Sequence, residues 1–210
     1  MFVADTPGLD FLNSVATPVD VPVDWIEDGC GLLAWLEQSE LVSPDTLTSL
    51  RDQAMPGELD NVAAQARNLR EEFRVFVHDH RGRPLHADNL AELAPLNRLL
   101  ARDEKFLQMD VADAAGAPNA PGLRLRTTRR WRTPESLLLP IGEALARLVT
   151  EEDFSDVKAC EGPACTLMFV DHTRGRVRRW CSMAICGNRA KQAAHRDRLK
   201  ARGEAGTAAT

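Results

Sequence analysis

Four cysteines in the C-terminal quarter of the chain have the spacing of a metal site. Cys160, Cys165, Cys181 and Cys186 form two pairs, with four residues inside each pair and fifteen between the pairs. Two chelating pairs joined by a span that can fold back supply the four thiolates of a tetrahedral site, and zinc is the usual metal for such a set. The pattern therefore predicts one structural Zn²⁺ per chain, bound by these four cysteines.

Two disulfides, or four unrelated thiols, are the alternatives for the same cysteines. Disulfides require an oxidising compartment, whereas the residues from Met1 to Asp5 lack the basic start and apolar core of a signal peptide. No apolar run reaches the length of a membrane span. We therefore expect a cytoplasmic protein without a membrane partner, a setting in which paired cysteines favour metal.

The residues around the cysteines predict the order of the local elements. A turn containing Gly and Pro lies inside the first pair, and the short apolar segment 166–170 is typical of a strand. A loop with Gly175 separates it from a second strand at 177–180, so a hairpin is expected. The run 187–202 has no proline and no β-branched residue and predicts a helix with Cys186 at its first turn. This order of elements resembles a treble clef.

The second cysteine pair also carries a family resemblance. The residues from Arg178 to Lys191, with CGNR at Cys186 to Arg189, resemble the CGNR zinc finger. Such fingers usually follow an ABATE domain, a mixed α/β fold, and the residues from Asp10 to Val15 resemble the opening motif of that domain. The resemblance implies a stress-response regulator of transcription that binds DNA through the finger and senses a small-molecule ligand through its N-terminal domain.

Two asparagines in apolar surroundings are candidates for orienting such a ligand. Asn13 lies in a run of Phe, Leu, Ser and Val, and Asn97 lies among leucines. The alternative is that each amide satisfies buried backbone groups, as most buried polar side chains do. The sequence names no ligand for either residue.

Charge is distributed unevenly along the chain. The net charge is −5, but the segment from Lys158 to Arg202 has eleven Lys and Arg against three acidic residues, so it carries +8 and the remainder carries −13. A four-thiolate zinc site contributes a formal −2, which leaves this segment at about +6. An acidic body with a basic C-terminal module indicates that the module is the part that meets a polyanion.

The predicted terminal helix is basic on two opposite sides. At 100° per residue Arg189, Arg196 and Lys200 form one stripe, and Lys191, Arg198 and Arg202 form another. A merely solvated helix is the alternative, although solvated helices tend to mix signs and gain i,i+4 pairs. We expect the loop arginines to hold the DNA backbone and the helix to approach the major groove. The predicted duplex DNA contacts are Arg174, Arg176, Arg178, Arg179, Asn188, Arg189, Lys191, Arg196, Arg198 and Lys200.

The rest of the chain predicts a mixture of helices and one hairpin. Extended structure is expected over 5–24, helices at 31–37, after Ser43, at 56–80, at 88–102 with a break at Pro95, and from Thr133 to about Thr150. Strands at 105–111 and 123–132 predict a hairpin around a loop at 114–122. The predicted fold is α+β: a mixed helix and β-hairpin N-terminal domain (1–150), a linker (151–157), a small treble-clef zinc finger (158–202) and a flexible tail (203–210).

No pattern in the sequence indicates catalysis. The chain has no tyrosine, no glycine-rich phosphate loop and no HExxH motif, and a four-cysteine zinc leaves no open coordination position for substrate. Cys30 has no partner nearby in the sequence and is expected to be a small buried side chain. An adaptor that docks on an acidic protein and an RNA-binding protein are the alternatives to a DNA-binding regulator.

Overall fold

The computed structural model describes residues 2–17, 21–111 and 122–207, and beyond Arg196 it describes the side chain of Arg198 alone. In these ranges the helices are α1 (Pro7–Leu12), α2 (Gly29–Gln38), α3 (Pro44–Gln53), α4 (Glu58–His80), α5 (Ala94–Leu100), α6 (Leu138–Glu151) and α7 (Asn188–Thr207). The strands are β1 (Val15–Ala16), β2 (Val23–Asp24), β3 (Lys105–Val111), β4 (Leu123–Arg129), β5 (Val157–Ala159) and β6 (Met168–Val170). Consecutive strands form three antiparallel pairs, so the fold is α+β as predicted.

Helix α1 contradicts the extended structure expected over residues 5–24. The side chain of Thr6 accepts a hydrogen bond from the Leu9 N–H, and Pro7 occupies the first turn, where a helix does not need its missing N–H. The strands β1 and β2 account for four residues of the segment that was expected to be extended. Thr6 and Pro7 are therefore a helix start, and the prediction was wrong because it took the proline as a mark of extended chain.

The hydrophobic core lies between α1, α4 and α6. Leu9 of α1, Phe73 of α4 and Leu145 of α6 are all buried in it. At Gly8 a Cβ atom would lie 2.7 Å from the Ala144 carbonyl oxygen, so glycine is what lets α1 and α6 approach so closely. Burial of each large side chain in this core contributes about 1.5–3 kcal/mol.

The other predicted elements of the first 150 residues are confirmed. Ser43 caps α3, and α4 follows the predicted span. The helical stretch expected at 88–102 is divided before Pro95, which sits in the first turn of α5. Strands β3 and β4 pair over seven residues each, although the loop between them, apart from Gly122, lies outside the described residues. A short 3₁₀ turn after Thr133 precedes α6.

The C-terminal part of the chain packs on the same core. Val157, Met168 and Val170 of β5 and β6 are buried with side chains of α1 and α4. Within the predicted linker, Phe154 is 1% exposed and its ring lies 6.0 Å from that of Phe76. The segment 151–157 thus includes a core residue, while the division of the chain into domains stays a prediction.

The last helix is longer than the sequence predicts. It continues to Thr207, five residues past the expected end at Arg202. None of the helices in the described ranges combines the length and the hydrophobicity needed to cross a lipid bilayer.

Candidate metal centre and nucleic-acid interface

The sulfur atoms of the four predicted ligands form one compact cluster. All four Sγ atoms lie within 4.8 Å of one another. The Sγ of Cys181 is 3.8 Å from that of Cys165 and 3.7 Å from that of Cys186. Sulfurs bound at about 2.3 Å to a tetrahedral zinc are about 3.8 Å apart, so these distances fit a closed ZnS₄ site. All four are free thiols, which removes the disulfide alternative.

The first cysteine pair lies on the loop that joins β5 to β6. The Cys160 N–H donates to the Leu167 carbonyl over 2.9 Å, and the Cys165 N–H donates to the Gly162 carbonyl over 3.0 Å. These bonds close the loop into a knuckle. A Cβ atom on Gly162 would lie 3.1 Å from the Cys186 Sγ, so a larger residue there would press on the second pair.

The second cysteine pair lies at the entry to α7. Cys186 belongs to a single wide turn, Met183–Gly187, that leads directly into the helix at Asn188. The Gly187 N–H closes this turn by donating to the Ser182 carbonyl over 3.1 Å. Cys186 therefore sits at the positive end of the helix dipole, where a thiolate is favoured.

Backbone and arginine donors surround the sulfurs. The N–H groups of Gly162 and Cys181 point to the Cys160 Sγ over 3.4 and 3.3 Å. The guanidinium of Arg189 lies 3.9 Å from the Cys186 Sγ. Such donors stabilise negative charge on sulfur, so Arg189, predicted as a DNA contact, takes part in the metal centre.

The thiols cannot all ionise without a cation. The hydrogen bond between Cys181 and Cys165 raises the pKa of Cys181 and lowers the pKa of Cys165 to about 5. Burial raises the pKa of Cys186 to about 11. A divalent metal removes this conflict because it neutralises several thiolates at once. Cys160, Cys165, Cys181 and Cys186 accordingly hold one structural Zn²⁺.

The two parts of the chain match known families. Residues 157–199 match the CGNR zinc finger, and residues 5–152 match the ABATE family, whose description is "Putative stress-induced transcription regulator". The chain belongs to the ABATE family. A search among curated proteins finds no match to it. The resemblance stated from the cysteine spacing, the CGNR sequence and the Asp10–Val15 motif is thereby confirmed.

The strands of the CGNR finger pair differently from the prediction. β6 pairs with β5, the strand that precedes the first cysteine pair in the chain. Residues 177–180 form no strand. The buried carboxylate of Asp171 explains this, because it accepts hydrogen bonds from the backbone N–H groups of Thr173 and Arg178 and from the Lys158 ammonium. Burial acts to raise the pKa of Asp171, but these bonds outweigh it and hold the pKa below its usual range. The treble-clef assignment was based on a hairpin between residues 166–170 and 177–180. The structure does not form this hairpin, so the assignment stays a prediction.

Arg178, predicted to hold DNA, binds the ABATE part of the chain. Its guanidinium donates to the carbonyls of Val3 and Cys181 over 2.9 and 2.7 Å and pairs with the Asp5 carboxylate. It also lies 4.2 Å from the centre of the Phe169 ring. With these partners Arg178 is not free for a phosphate, and its prediction as a DNA contact is corrected to a structural role.

The other loop arginines are divided between internal and outward positions. Arg176 pairs with Asp156 over 3.0 Å. Arg179 pairs with Glu161 and lies 4.9 Å from the centre of the half-buried Trp180 ring. Arg174 is exposed and forms no ion pair with the side chains described. Arg174 is therefore the loop arginine best placed to meet a phosphate.

The basic residues of α7 face solvent. Lys191, Arg196 and Arg198 are exposed, as is Asn188, whose amide bonds to the Ala184 carbonyl over 3.3 Å. Lys191 and Arg196 form no ion pair with any side chain in the described ranges. The side chain of Lys200 lies outside those ranges. The exposed cations of α7, which are part of the predicted interface, are thus accessible to a binding partner.

Asn13 joins the ABATE part to the finger instead of orienting a ligand. It is fully buried, its amide donates to the Met168 carbonyl over 2.8 Å, and its carbonyl accepts from the Met168 N–H over 3.0 Å. Both polar atoms are used, which is the alternative considered for this residue. Arg74 of α4 holds the segment in place by donating to the carbonyls of Leu12 and Val15. Asn97 is exposed on α5, and its role in ligand binding stays a prediction.

Some residues of the site were missed or misjudged from the sequence. Cys30 is exposed, contrary to the expectation that it is buried. Asp171 and Lys158, which fix the loop before the second cysteine pair, were not singled out. The only sequence signal for Asp171 is a single acid in a basic run. Lys158 and Asp171 lie thirteen residues apart in the chain, so local sequence patterns do not reveal that they form a pair.

Proposed function

We propose that the chain regulates transcription by binding duplex DNA through its CGNR finger. The observation that carries the proposal is the outward row of cations on α7, where Lys191 and Arg196 meet no acidic partner among the described side chains. Exposed cations on one helix attract phosphates and release the counterions bound to them, which favours binding. The net charge of the finger segment, about +6 with its zinc, has the sign that a polyanion requires.

The zinc centre supports this role by fixing the start of α7. Because Cys186 is a ligand and the helix begins two residues later, the metal determines the direction in which α7 leaves the finger. The exposed loop residue Arg174 belongs to the same basic module. We expect the zinc to organise the surface and to take no part in chemistry, since four thiolates fill a tetrahedral shell. The proposed role is therefore not enzymatic.

The salt dependence of DNA binding tests the interface. We expect the double variant Lys191→Gln/Arg196→Gln to weaken binding and to lower the slope of log K against log salt by about 1.8, at about 0.9 per phosphate contact. Fluorescence anisotropy with a labelled duplex across a salt series measures this slope. Zinc content should stay at one per chain, because neither residue contacts a sulfur atom.

A charge-matched variant controls for net charge. Arg51→Gln/Arg102→Gln removes two exposed arginines from the ABATE part, and its slope should equal that of the wild type. An unchanged slope for the α7 variant would remove the helix from the interface. Displacement of the duplex by structured RNA or by an acidic polypeptide, at equal charge concentration, would favour the RNA-binding or the adaptor alternative.

A cavity beside the finger supports the proposed sensing of a ligand. It has a volume of about 450 Å³, within the range of small-molecule sites. Its wall includes Asp5 and Glu152, and each of these binds the finger, Asp5 through Arg178 and Glu152 through His172. A ligand in this cavity would touch both connections to the finger. Carboxylates outnumber guanidinium groups in the wall, so we expect a small amphipathic cation.

A substitution that fills part of the cavity tests whether a ligand binds there. Leu41 lies in the cavity wall and is half-buried, so we expect Leu41→Trp to leave the fold intact and to abolish stabilisation by aliphatic amines. Thermal unfolding with and without a series of such amines measures the effect. Leu90→Trp, at an exposed site outside the wall, is the control. Equal stabilisation of both variants would exclude the cavity as the ligand site.

A further inference from the structure

Strands β3 and β4 form a two-stranded ribbon with one apolar face. The register pairs Leu107 with Thr127, Met109 with Leu125 and Val111 with Leu123. Partners in an antiparallel pair lie on the same face of a sheet. We define the apolar face as Leu107, Met109, Val111, Leu123 and Leu125. All five residues are between 63% and 75% exposed.

The opposite face of the ribbon is polar. Its residues are Phe106, Gln108, Asp110, Arg124, Arg126 and Thr128, of which Phe106 alone is apolar, and Asp110 and Arg126 form an ion pair at 3.4 Å. Antiparallel sheets with this alternation place the apolar side on a core and the polar side in water. Within the described ranges no helix or strand covers the apolar face, as the exposure of its five residues shows. The apolar side of the ribbon therefore lacks the packing partner that this alternation predicts.

The base of the ribbon is firmly attached to the ABATE part. Arg129 binds Asp103 through two hydrogen bonds of 2.6 and 2.7 Å and Glu143 through one of 2.8 Å. The side chains of Arg129 and Asp103 are 9% and 8% exposed. The Arg130 N–H also donates to the Glu104 carbonyl over 2.9 Å. These bonds fix the direction of the ribbon, so its apolar face is held outward.

We propose that the apolar face is a dimer interface, covered by the same face of a second copy of the chain. If each of the five aliphatic side chains buries about 100 Å² of surface, the contact buries about 500 Å² per copy. The total for the pair is about 1,000 Å², the lower limit of a specific interface. A patch of this size is at the upper end for a monomer surface. An isolated two-stranded sheet is marginally stable, and two ribbons face to face supply the missing layer.

The internal symmetry of the face favours a second copy as the occupant. Half a turn about the axis between Met109 and Leu125 exchanges Leu107 with Leu123 and Val111 with Thr127. These pairs have the same or nearly the same shape, so a second copy meets nearly the same contacts with its strands in either of two opposite directions. The five residues of the face carry no charge, and the two cations on the same side of the ribbon, Lys105 and Arg129, are paired with Glu143 and Asp103 at its base. An isologous two-fold dimer is the arrangement that uses the same patch twice.

Sedimentation velocity of the zinc-loaded chain over a concentration series tests the proposal without DNA. We expect the wild type to move from the mass of one chain, 23.2 kDa, toward twice that mass. The variant Met109→Thr/Leu125→Thr keeps β-forming residues in both strands and should raise the dissociation constant at least about tenfold. Gln108→Thr, on the polar face of the same strand, should dimerise as the wild type does.

Each outcome of this experiment decides the question. A wild type that stays at the mass of one chain overturns the proposal, and co-sedimentation of that monomer with phospholipid vesicles would assign the face to a membrane surface. A dimer that the double variant leaves unchanged would place the interface elsewhere. Circular dichroism checks the fold of each variant, and Leu125→Thr alone replaces the double variant if that one unfolds.

Discussion

Replacing Cys181 with serine is expected to abolish zinc binding and to unfold the finger. Cys181 lies at the centre of the cluster, within 3.8 Å of two other ligand sulfurs, and three remaining thiolates cannot complete the closed site. Structural zinc supplies about 10–16 kcal/mol of apparent free energy in small metal-folded modules. That is comparable to the stability of many whole domains. The loss should extend beyond the finger, because Met168 and Val170 belong to the main core.

Metal analysis and urea denaturation measure this result. The variant should contain no zinc after gel filtration and should unfold at a lower urea concentration than the wild type, with lost secondary structure by circular dichroism. Cys30→Ser is the matched control, since Cys30 is exposed and outside the cluster. It should retain one zinc and unchanged stability. A Cys181→Ser protein with full zinc content would contradict the assignment of the ligands.

Asn13→Leu is expected to lower the free energy of unfolding by about 2–5 kcal/mol. Leucine has the same branched arrangement of four side-chain heavy atoms as asparagine, but it is larger and leaves the Met168 N–H and carbonyl without partners in a fully buried site. Each unpaired buried group costs about 1–3 kcal/mol. The cost falls on the junction between the ABATE part and the finger, so zinc should stay bound while hydrogen exchange at Met168 becomes faster.

Urea unfolding of the zinc-loaded protein gives the size of this effect. Asn97→Leu is the matched control, because Asn97 is exposed and surface substitutions usually change stability by less than about 0.5 kcal/mol. A similarly small change for Asn13→Leu would mean that the two hydrogen bonds to Met168 add nothing to the attachment of the finger. The junction would then depend on its other contacts, which include Arg178, the bond from the Val170 N–H to the Ala4 carbonyl and apolar packing.

The sequence was informative where the chemistry is local. The spacing of Cys160, Cys165, Cys181 and Cys186 predicts the metal site because chelation needs ligands close in sequence, and the cluster confirms it. In α4 apolar residues such as Val62, Ala66 and Phe73 recur at intervals of three or four, which predicts a buried face because helix periodicity is regular, and these residues are buried. Ser43 at the start of α3 is a local cap signal and is confirmed for the same reason.

The sequence was uninformative where contacts span most of the chain. Arg178 was assigned to DNA because it lies in a basic run, but its partner Asp5 is 173 residues away. Asn13 has no local signal for its pairing with Met168, which is 155 residues away. The hairpin was expected from the apolar segment 166–170 and a returning strand at 177–180 after a loop with Gly175, whereas the side chain of Asp171 takes the backbone N–H of Arg178 that such a hairpin would need.

The contacts of Val3, Ala4 and Asn13 with residues 168–178 have a consequence for the rate at which the chain folds. Residues far apart in the chain are joined here, by the Val170 N–H to the Ala4 carbonyl and, across 155 and 175 positions, by the Asn13 amide and the Arg178 guanidinium. Helix α1 therefore keeps part of its surface uncovered until the finger has formed, because Met168 and Val170 of β6 pack in the same core. Because contacts between distant residues slow folding and the finger depends on its metal, we expect the rate at which the chain folds to rise with zinc supply.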